Sequence, residues 1–365
     1  MPSVTAAPQL TDARPGEVAD QAARSWDRVP GYLNAATLGL PPCAVVTAMQ
    51  EAVAEWAAGT ACPTRYDASV NAARESYARL VGVSPDRVAT GAQTSVFAGM
   101  VAASLSDGAE VVAIQDDFTS VLFPFLVQQQ ADRGVTVRLV PREGLADAVA
   151  ETTDLVVFSL AQSACGRLVD VAAVTEAARR HGARTFCDTT QAAGWMPVEA
   201  DLFDLTVCSA YKWLCQPRGT AYLTIRPELT ESLRPVSAGW YAGESIWDST
   251  YGPGMQLAGD ARRFDVSPAW LSWVGAQAAG EVFAQLSMEA VRAHVGGLAD
   301  QVRETLGQEP CGRPVLALPD PDGALAGRLT GAGATVASRG GGVRIAFHLW
   351  NTQEDVDLVL RTLAG

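Results

Sequence analysis

The sequence predicts an α/β protein with a large domain on a mainly parallel sheet and a smaller α+β C-terminal domain. Short apolar runs alternate with helix-like segments from about residue 88. The runs are continuously apolar, as in strands covered on both faces. After about residue 227 the rhythm changes. A chain of 365 residues, 48% apolar and 18% charged, suits two such units around a sizeable core.

Residues 1–25 read as a polar helical lead-in, 26–250 as the large domain and 251–365 as the small one. Ala109–Ile114 reads as a strand, Ser120–Arg133 as a helix, and Thr136–Val140 and Asp154–Leu160 as further strands. Val171–His181 has helical periodicity, with Gly182 as its stop signal. Ala183–Cys187, Leu205–Cys208 and Thr220–Ile225 complete the large domain's strands. A Trp/Tyr/Gly-rich stretch, Ser237–Gly254, leads to a long helical segment, Trp270–Leu286. Val343–Leu349 reads as a strand, and Asn351-Thr-Gln-Glu354 as a capping box opening the last helix.

Composition narrows the function. Asp plus Glu number 40 against 27 Lys plus Arg, a net charge of −13, which repels nucleic-acid phosphates and anionic membranes. The first twenty residues carry no basic segment followed by an apolar run, so no signal peptide is expected, and no apolar stretch is long enough to span a bilayer. Seven cysteines without a C-x-x-C pair fit a reduced, cytosolic protein without structural zinc. His181, His294 and His348 are scattered and read as structural, so no metal site is expected.

The 27 basic residues comprise 26 arginines and a single lysine, Lys212. A coding bias toward arginine would leave such a survivor by accident. Alternatively, lysine persists only where chemistry needs an amine that can lose its proton, which a guanidinium cannot do. The surroundings of Lys212 decide between these readings. Asp188 follows the strand Ala183–Cys187, and Cys208-Ser-Ala-Tyr-Lys212 follows the next strand at a comparable height, where open α/β sheets bind ligands. A strand-end Asp alone is equally a helix cap or turn former. Paired with an amine, it suits pyridoxal 5′-phosphate (PLP): the lysine holds the aldehyde as an imine and the aspartate keeps the pyridine nitrogen protonated. Thr90-Gly-Ala-Gln-Thr-Ser95, between a short strand and a helical run beginning near Val96, offers backbone N–H groups to a phosphate. Ser209-Ala-Tyr-Lys212 is formally S-x-x-K, but the penicillin-recognising serine enzymes that use this motif mostly need a second lysine in K-T-G, which this chain lacks.

In these motifs, from about Tyr32 to Asp357, the sequence resembles the class V aminotransferase family of fold type I PLP enzymes. The branch resembled is that of isopenicillin N epimerase-like, cysteine-conjugate C–S lyase-like and kynureninase-like members. The resemblance implies that Tyr32-Leu-Asn-Ala-Ala36 is a substrate loop containing Asn34, and that Gln93 and Thr94 contact phosphate. It implies that Phe118 stacks on the cofactor ring and that Gln191, in Asp188-Thr-Thr-Gln191, lies near its phenolic oxygen. Ser209 and Tyr211 match phosphate contacts, and Lys212 the imine lysine. Ser267, in Arg263-Phe-Asp-Val-Ser-Pro268, would reach the phosphate of a neighbouring subunit, implying a homodimer with shared sites. Arg344, in Gly342-Val-Arg-Ile-Ala-Phe, would clamp the substrate carboxylate with its planar fork.

Two departures restrict the reaction. Cysteine desulfurases carry a sulfur-accepting cysteine where this chain reads Ala337-Ser-Arg-Gly-Gly-Gly342. Kynureninases follow their Gly-Trp segment with a histidine, where Gly239-Trp-Tyr241 is followed by Ala242-Gly-Glu244. The expected partner is an amino acid substrate. Lys212 takes its α-proton, and β-elimination of the C–S lyase type follows, with transamination or epimerisation as alternatives. A PLP-binding sensor is the non-enzymatic alternative.

Overall fold

A computed structural model describes residues 15–364. Of the expected lead-in, only α1 (Pro15–Ser25) falls within that range; the reading of residues 1–14 lies outside the described residues. Helices α2 (Cys43–Ala57) and α3 (Pro63–Leu80) precede the first strand and were not identified from sequence. There follow β1 (Val88–Gly91), α4 (Thr94–Ala103), β2 (Glu110–Ile114), α5 (Thr119–Gln130), β3 (Thr136–Val140) and β4 (Thr153–Ser159). Next come α6 (Val171–His181), β5 (Arg184–Asp188), β6 (Leu205–Ser209) and β7 (Ala221–Ile225). The remaining elements are α7 (Trp270–Phe283), α8 (Met288–Thr305), β8 (Val315–Pro319), α9 (Ala324–Gly331), β9 (Ala337–Arg339), β10 (Gly342–Ala346) and α10 (Gln353–Ala364).

β1 to β7 form one sheet in the order β1-β7-β6-β5-β4-β2-β3. The strands from β6 to β3 are parallel, while β7 runs antiparallel to both β6 and β1. This is the mainly parallel α/β sheet that the continuous apolar runs predict. Along β4, Leu155 and Val157 enter one core cluster and Val156 and Phe158 the other, so each face of the pleat is covered. α6 begins with the Asp170 carboxylate accepting the Ala173 N–H and ends at Gly182, whose φ of +73° is the left-handed cap.

The C-terminal region holds a second, antiparallel sheet, β8-β10-β9, over a separate core that includes Leu316, Ile345 and Val356. Two expectations shift here. The strand expected over Val343–Leu349 ends at Ala346, because the His348 N–H turns to donate to the Asn351 side chain. The capping box moves one residue on, with the Thr352 N–H donating to the Asp355 carboxylate at 2.9 Å. Glu354, its expected acid, pairs instead with Arg28.

Register explains why a site forms at one edge. Ser159 lies beside Asp188, Asp188 beside Val207, and Ser209 and Gly91 both pair with Ala221. The carboxyl ends of β4, β5, β6 and β1 therefore line up, with the N-terminus of α4 just beyond them. Among the described residues, no helix is long and apolar enough to cross a membrane.

Candidate active site

Lys212 stands three residues past β6 and is 5% exposed. Its Nζ lies 5.1 Å from the centre of the Phe118 ring and 5.6 Å from that of Tyr211. Burial pulls the amine down to about 8; the Asp188 charge opposes this and Arg344 adds to it. Asp188 is also buried, which pushes its carboxyl up to about 6, against a 2.8 Å hydrogen bond from the Thr190 N–H and the nearby Lys212 charge. The amine and the carboxylate are thus both buried, while the Phe118 ring, 40% exposed, stands at the open side of Lys212.

At the start of α4, two residues earlier than the sequence suggested, three hydroxyls converge. Thr94 Oγ1 is 2.8 Å from Ser209 Oγ and 3.3 Å from Thr190 Oγ1, and the Thr94 N–H donates to Ser209 Oγ at 3.0 Å. Hydroxyls at a helix N-terminus are the donor set a phosphate takes. Gly91 is required beneath them, since a Cβ there would lie 2.7 Å from the Phe97 ring. The loop is braced by a buried ion pair. Asp265 accepts the Thr90 N–H at 2.7 Å and an Arg74 guanidinium N–H at 2.6 Å.

Arg344 is 2% exposed and has no carboxylate partner among the described residues. It donates to Thr37 Oγ1 at 2.6 Å and to the Ser163 carbonyl, while its Nε is buried without a partner. Asn34, bridged to Ala346 two residues beyond Arg344, likewise has a buried, unpartnered Oδ1. A buried guanidinium without a counter-ion fits an incoming carboxylate. Gln191 is held on every side. Its Oε1 accepts from Trp213 Nε1 at 2.8 Å, and its Nε2 donates to the Ala36 carbonyl at 3.0 Å and to Ser163 Oγ at 3.1 Å.

The structure therefore brings Lys212, Asp188, Phe118, Thr94 and Ser209 to one edge, with Gln191 and Arg344 joined through Ser163. Tyr211 is half-buried under the Arg218 guanidinium, 4.9 Å from its ring centre. Gln93 is exposed at the cap position of α4 and its side chain caps nothing. Ser267 is exposed, and no hydrogen bond joins it to these groups within the protomer. Asp117, Thr37, Ser163, Trp213 and His348 were missed as site residues. Asp117 accepts the Phe118 N–H at 2.7 Å and the Ser159 N–H at 2.6 Å, tying the ring-bearing turn to the end of β4. Its place immediately before Phe118 was the available signal. Among the described residues, no cluster of His, Cys, Asp or Glu could hold a metal ion.

This site and sheet are those of a PLP-dependent enzyme of fold type I. The family model for aminotransferase class-V matches residues 32–316, and the chain belongs to that family. It is 28% identical over 314 residues to the uncharacterized aminotransferase YcbU of Bacillus subtilis, covering 80% of this chain and 82% of the relative. It is 28% identical over 330 residues to isopenicillin N epimerase of Streptomyces clavuligerus, covering 78% and 81%. Among solved structures, the cystine C–S lyase C-DES in complex with its product cysteine persulfide superposes with a TM-score of 0.81 at 18% identity, covering 91% of this chain and 97% of that one. The cofactor is pyridoxal 5′-phosphate and the substrates are amino acids.

Proposed function

We propose that the enzyme catalyses β-elimination from an amino acid of the cysteine-conjugate type. The observation that carries this reading is the state of Lys212. It is the only lysine in the chain, it is buried, and its amine is pulled down to about 8, so far more of it is neutral at physiological pH than for an ordinary lysine. Elimination asks for that one base and a carboxylate clamp, and the site offers both.

When bound, PLP supplies an electron sink for the substrate's α-carbon. Arg344 holds the substrate carboxylate beside Asn34, which fixes the α-carbon relative to Lys212. Lys212 Nζ accepts the α-proton. The Cβ–S bond then breaks with its electron pair leaving on sulfur, and hydrolysis of the remaining enamine gives pyruvate and ammonia without net oxidation or reduction. In the same reading, Asp188 would pair with the ring nitrogen, Phe118 would cover the ring, and Gln191 would meet the phenolic oxygen by exchanging one of its present acceptors. Gln93, Thr94, Ser209 and Tyr211 would take the phosphate, joined by Ser267 of a second subunit in a homodimer. The stretch Ala337-Ser-Arg-Gly-Gly-Gly342 holds no cysteine where cysteine desulfurases carry their sulfur acceptor, which supports release of the sulfur as a thiol. Seven free cysteines support a reducing, cytoplasmic setting.

The test is an assay of purified holoenzyme with cysteine conjugates, following pyruvate, ammonia and thiol. Equimolar release of all three is expected, and Lys212→Arg should lower the rate by on the order of 10³-fold or more. Transamination is the second reading, favoured by the aminotransferase name of the Bacillus subtilis relative. Turnover that requires a keto-acid co-substrate and releases no ammonia would replace elimination with it. PLP binding without turnover of any amino acid would leave the sensor.

A further inference from the structure

We propose that His348 and Trp213 are positioning residues that set the backbone carrying Lys212 and the amide of Gln191. Three successive carbonyls around the lysine are each held by a different donor. The Tyr211 carbonyl accepts from the Gly39 N–H at 3.0 Å and the Lys212 carbonyl from the Cys215 N–H at 3.1 Å. The Trp213 carbonyl accepts from His348 Nε2 at 2.8 Å. His348 is the side chain that donates to this stretch at short range; the Cys215 thiol also reaches the Trp213 carbonyl, at 3.8 Å. The His348 tautomer is settled locally, because the Leu349 N–H donates into Nδ1 at 2.7 Å and leaves the ring proton on Nε2.

The same stretch is pinched by two glycines. A Cβ on Gly39 would lie 2.0 Å from the Lys212 carbonyl oxygen, and one on Gly194, at φ +108°, 2.4 Å from that of Trp213. Cys215 closes the turn at φ +54°, a left-handed conformation that costs a non-glycine residue energy and persists only when its surroundings impose it. The imidazole of His348 stacks on Trp213 at 5.2 Å and on Trp350 at 4.5 Å, so it supplies both a donor and a wall.

Trp213 carries the constraint onward. An indole N–H only donates, so its bond to Gln191 fixes Oε1 as the acceptor and Nε2 as the donating end of that amide. Gln191 Nε2 then meets Ser163 Oγ, and the Ser163 carbonyl receives Arg344. Arg344 lies in β10 and His348 two residues past its end. One short segment therefore sets both the proposed substrate clamp and, through Trp213, the lysine loop and Gln191.

The inference rests on Lys212 being the cofactor lysine, which borohydride fixation of PLP onto Lys212 tests separately. Because the chain has one lysine, apoprotein grown on ¹⁵N-lysine gives a single backbone amide resonance, which reports the Lys212 backbone directly. Its amine reactivity toward trinitrobenzenesulfonate as a function of pH, read on the peptide that carries Lys212 so that the α-amino group is not counted, reports the surroundings of Nζ. His348→Phe keeps an aromatic wall but loses the donor, and Trp213→Phe loses the indole N–H. Both are expected to shift or split the Lys212 resonance, to move the reactivity midpoint upward toward that of a free lysine, and to lower kcat by roughly 10²-fold with KM changed less than about twofold. His348→Gln, whose amide nitrogen reaches near the Nε2 position, should restore resonance and midpoint toward wild type. A folded His348→Phe protein with the wild-type resonance and midpoint would overturn the proposal. If that variant does not fold, an unshifted reactivity midpoint in Trp213→Phe overturns it equally.

Discussion

At the scale of single residues, the site is governed by desolvation. The pocket that pulls the Lys212 amine down to about 8 pushes the Asp188 carboxyl up to about 6. The role proposed for Asp188, partner of the pyridine nitrogen, needs the ionised carboxylate, which in cofactor-free protein is lost as pH falls through about 6. PLP binding by apoprotein, titrated between about pH 5 and 8, should therefore weaken on the acid side. Asp188→Asn should bind PLP weakly throughout and lose that dependence; an unchanged profile would remove Asp188 from the role. Arg344→Gln should lower kcat/KM by on the order of 10- to 100-fold, the value of a charge-assisted carboxylate contact, while PLP affinity stays the same. The positions of two of these residues were legible in the residues themselves, Lys212 by its solitude and Asp188 by its strand end, whereas Gln191 was marked only by the family resemblance through D-x-x-Q. Trp213 and His348 were not, since their contact spans 135 positions and leaves no local pattern.

At the scale of elements, the proposed phosphate loop depends on a brace that sequence reading passed over. Arg74 lies mid-helix in α3, where an arginine reads as solvated, yet it is buried against Asp265 and donates to the Val88 carbonyl at the start of β1. Asp265→Ala should cost about 3–5 kcal/mol in urea unfolding, because it strands a buried guanidinium. Adding Arg74→Met should recover part of that loss but not all, because the Thr90 N–H still lacks its acceptor. Full recovery would mean that the contact to the loop contributes nothing. The central strands were legible from their continuous apolar runs, whereas the last helix's cap was misplaced by one residue. The Asn351 side chain, which composition favours as the cap, is taken up by the His348 N–H and the Tyr32 carbonyl.

At the scale of the whole molecule, the proposed partner contact of Ser267 has a sharp test. Co-expression of Lys212→Arg and Ser267→Glu chains forms mixed dimers in which one site draws its lysine and its serine from intact copies. Activity should reappear in the mixture although each variant alone is inactive. No recovery in a confirmed mixed dimer would mean that each site is completed within one chain. The large sheet was readable as mainly parallel because its strands are continuously apolar, as strands covered on both faces are, although their order was not read from sequence. The reversal of β7 was not, since a five-residue apolar strand looks alike in either direction.

The buried, solitary Lys212 has one more consequence. An endoproteinase specific for lysine has one cleavage point in the denatured chain, after residue 212, yielding fragments 1–212 and 213–365. Borohydride reduction of the loaded protein would block that cut. The fraction of chain left whole on a gel would then read out cofactor occupancy directly, without a substrate and before the reaction is known.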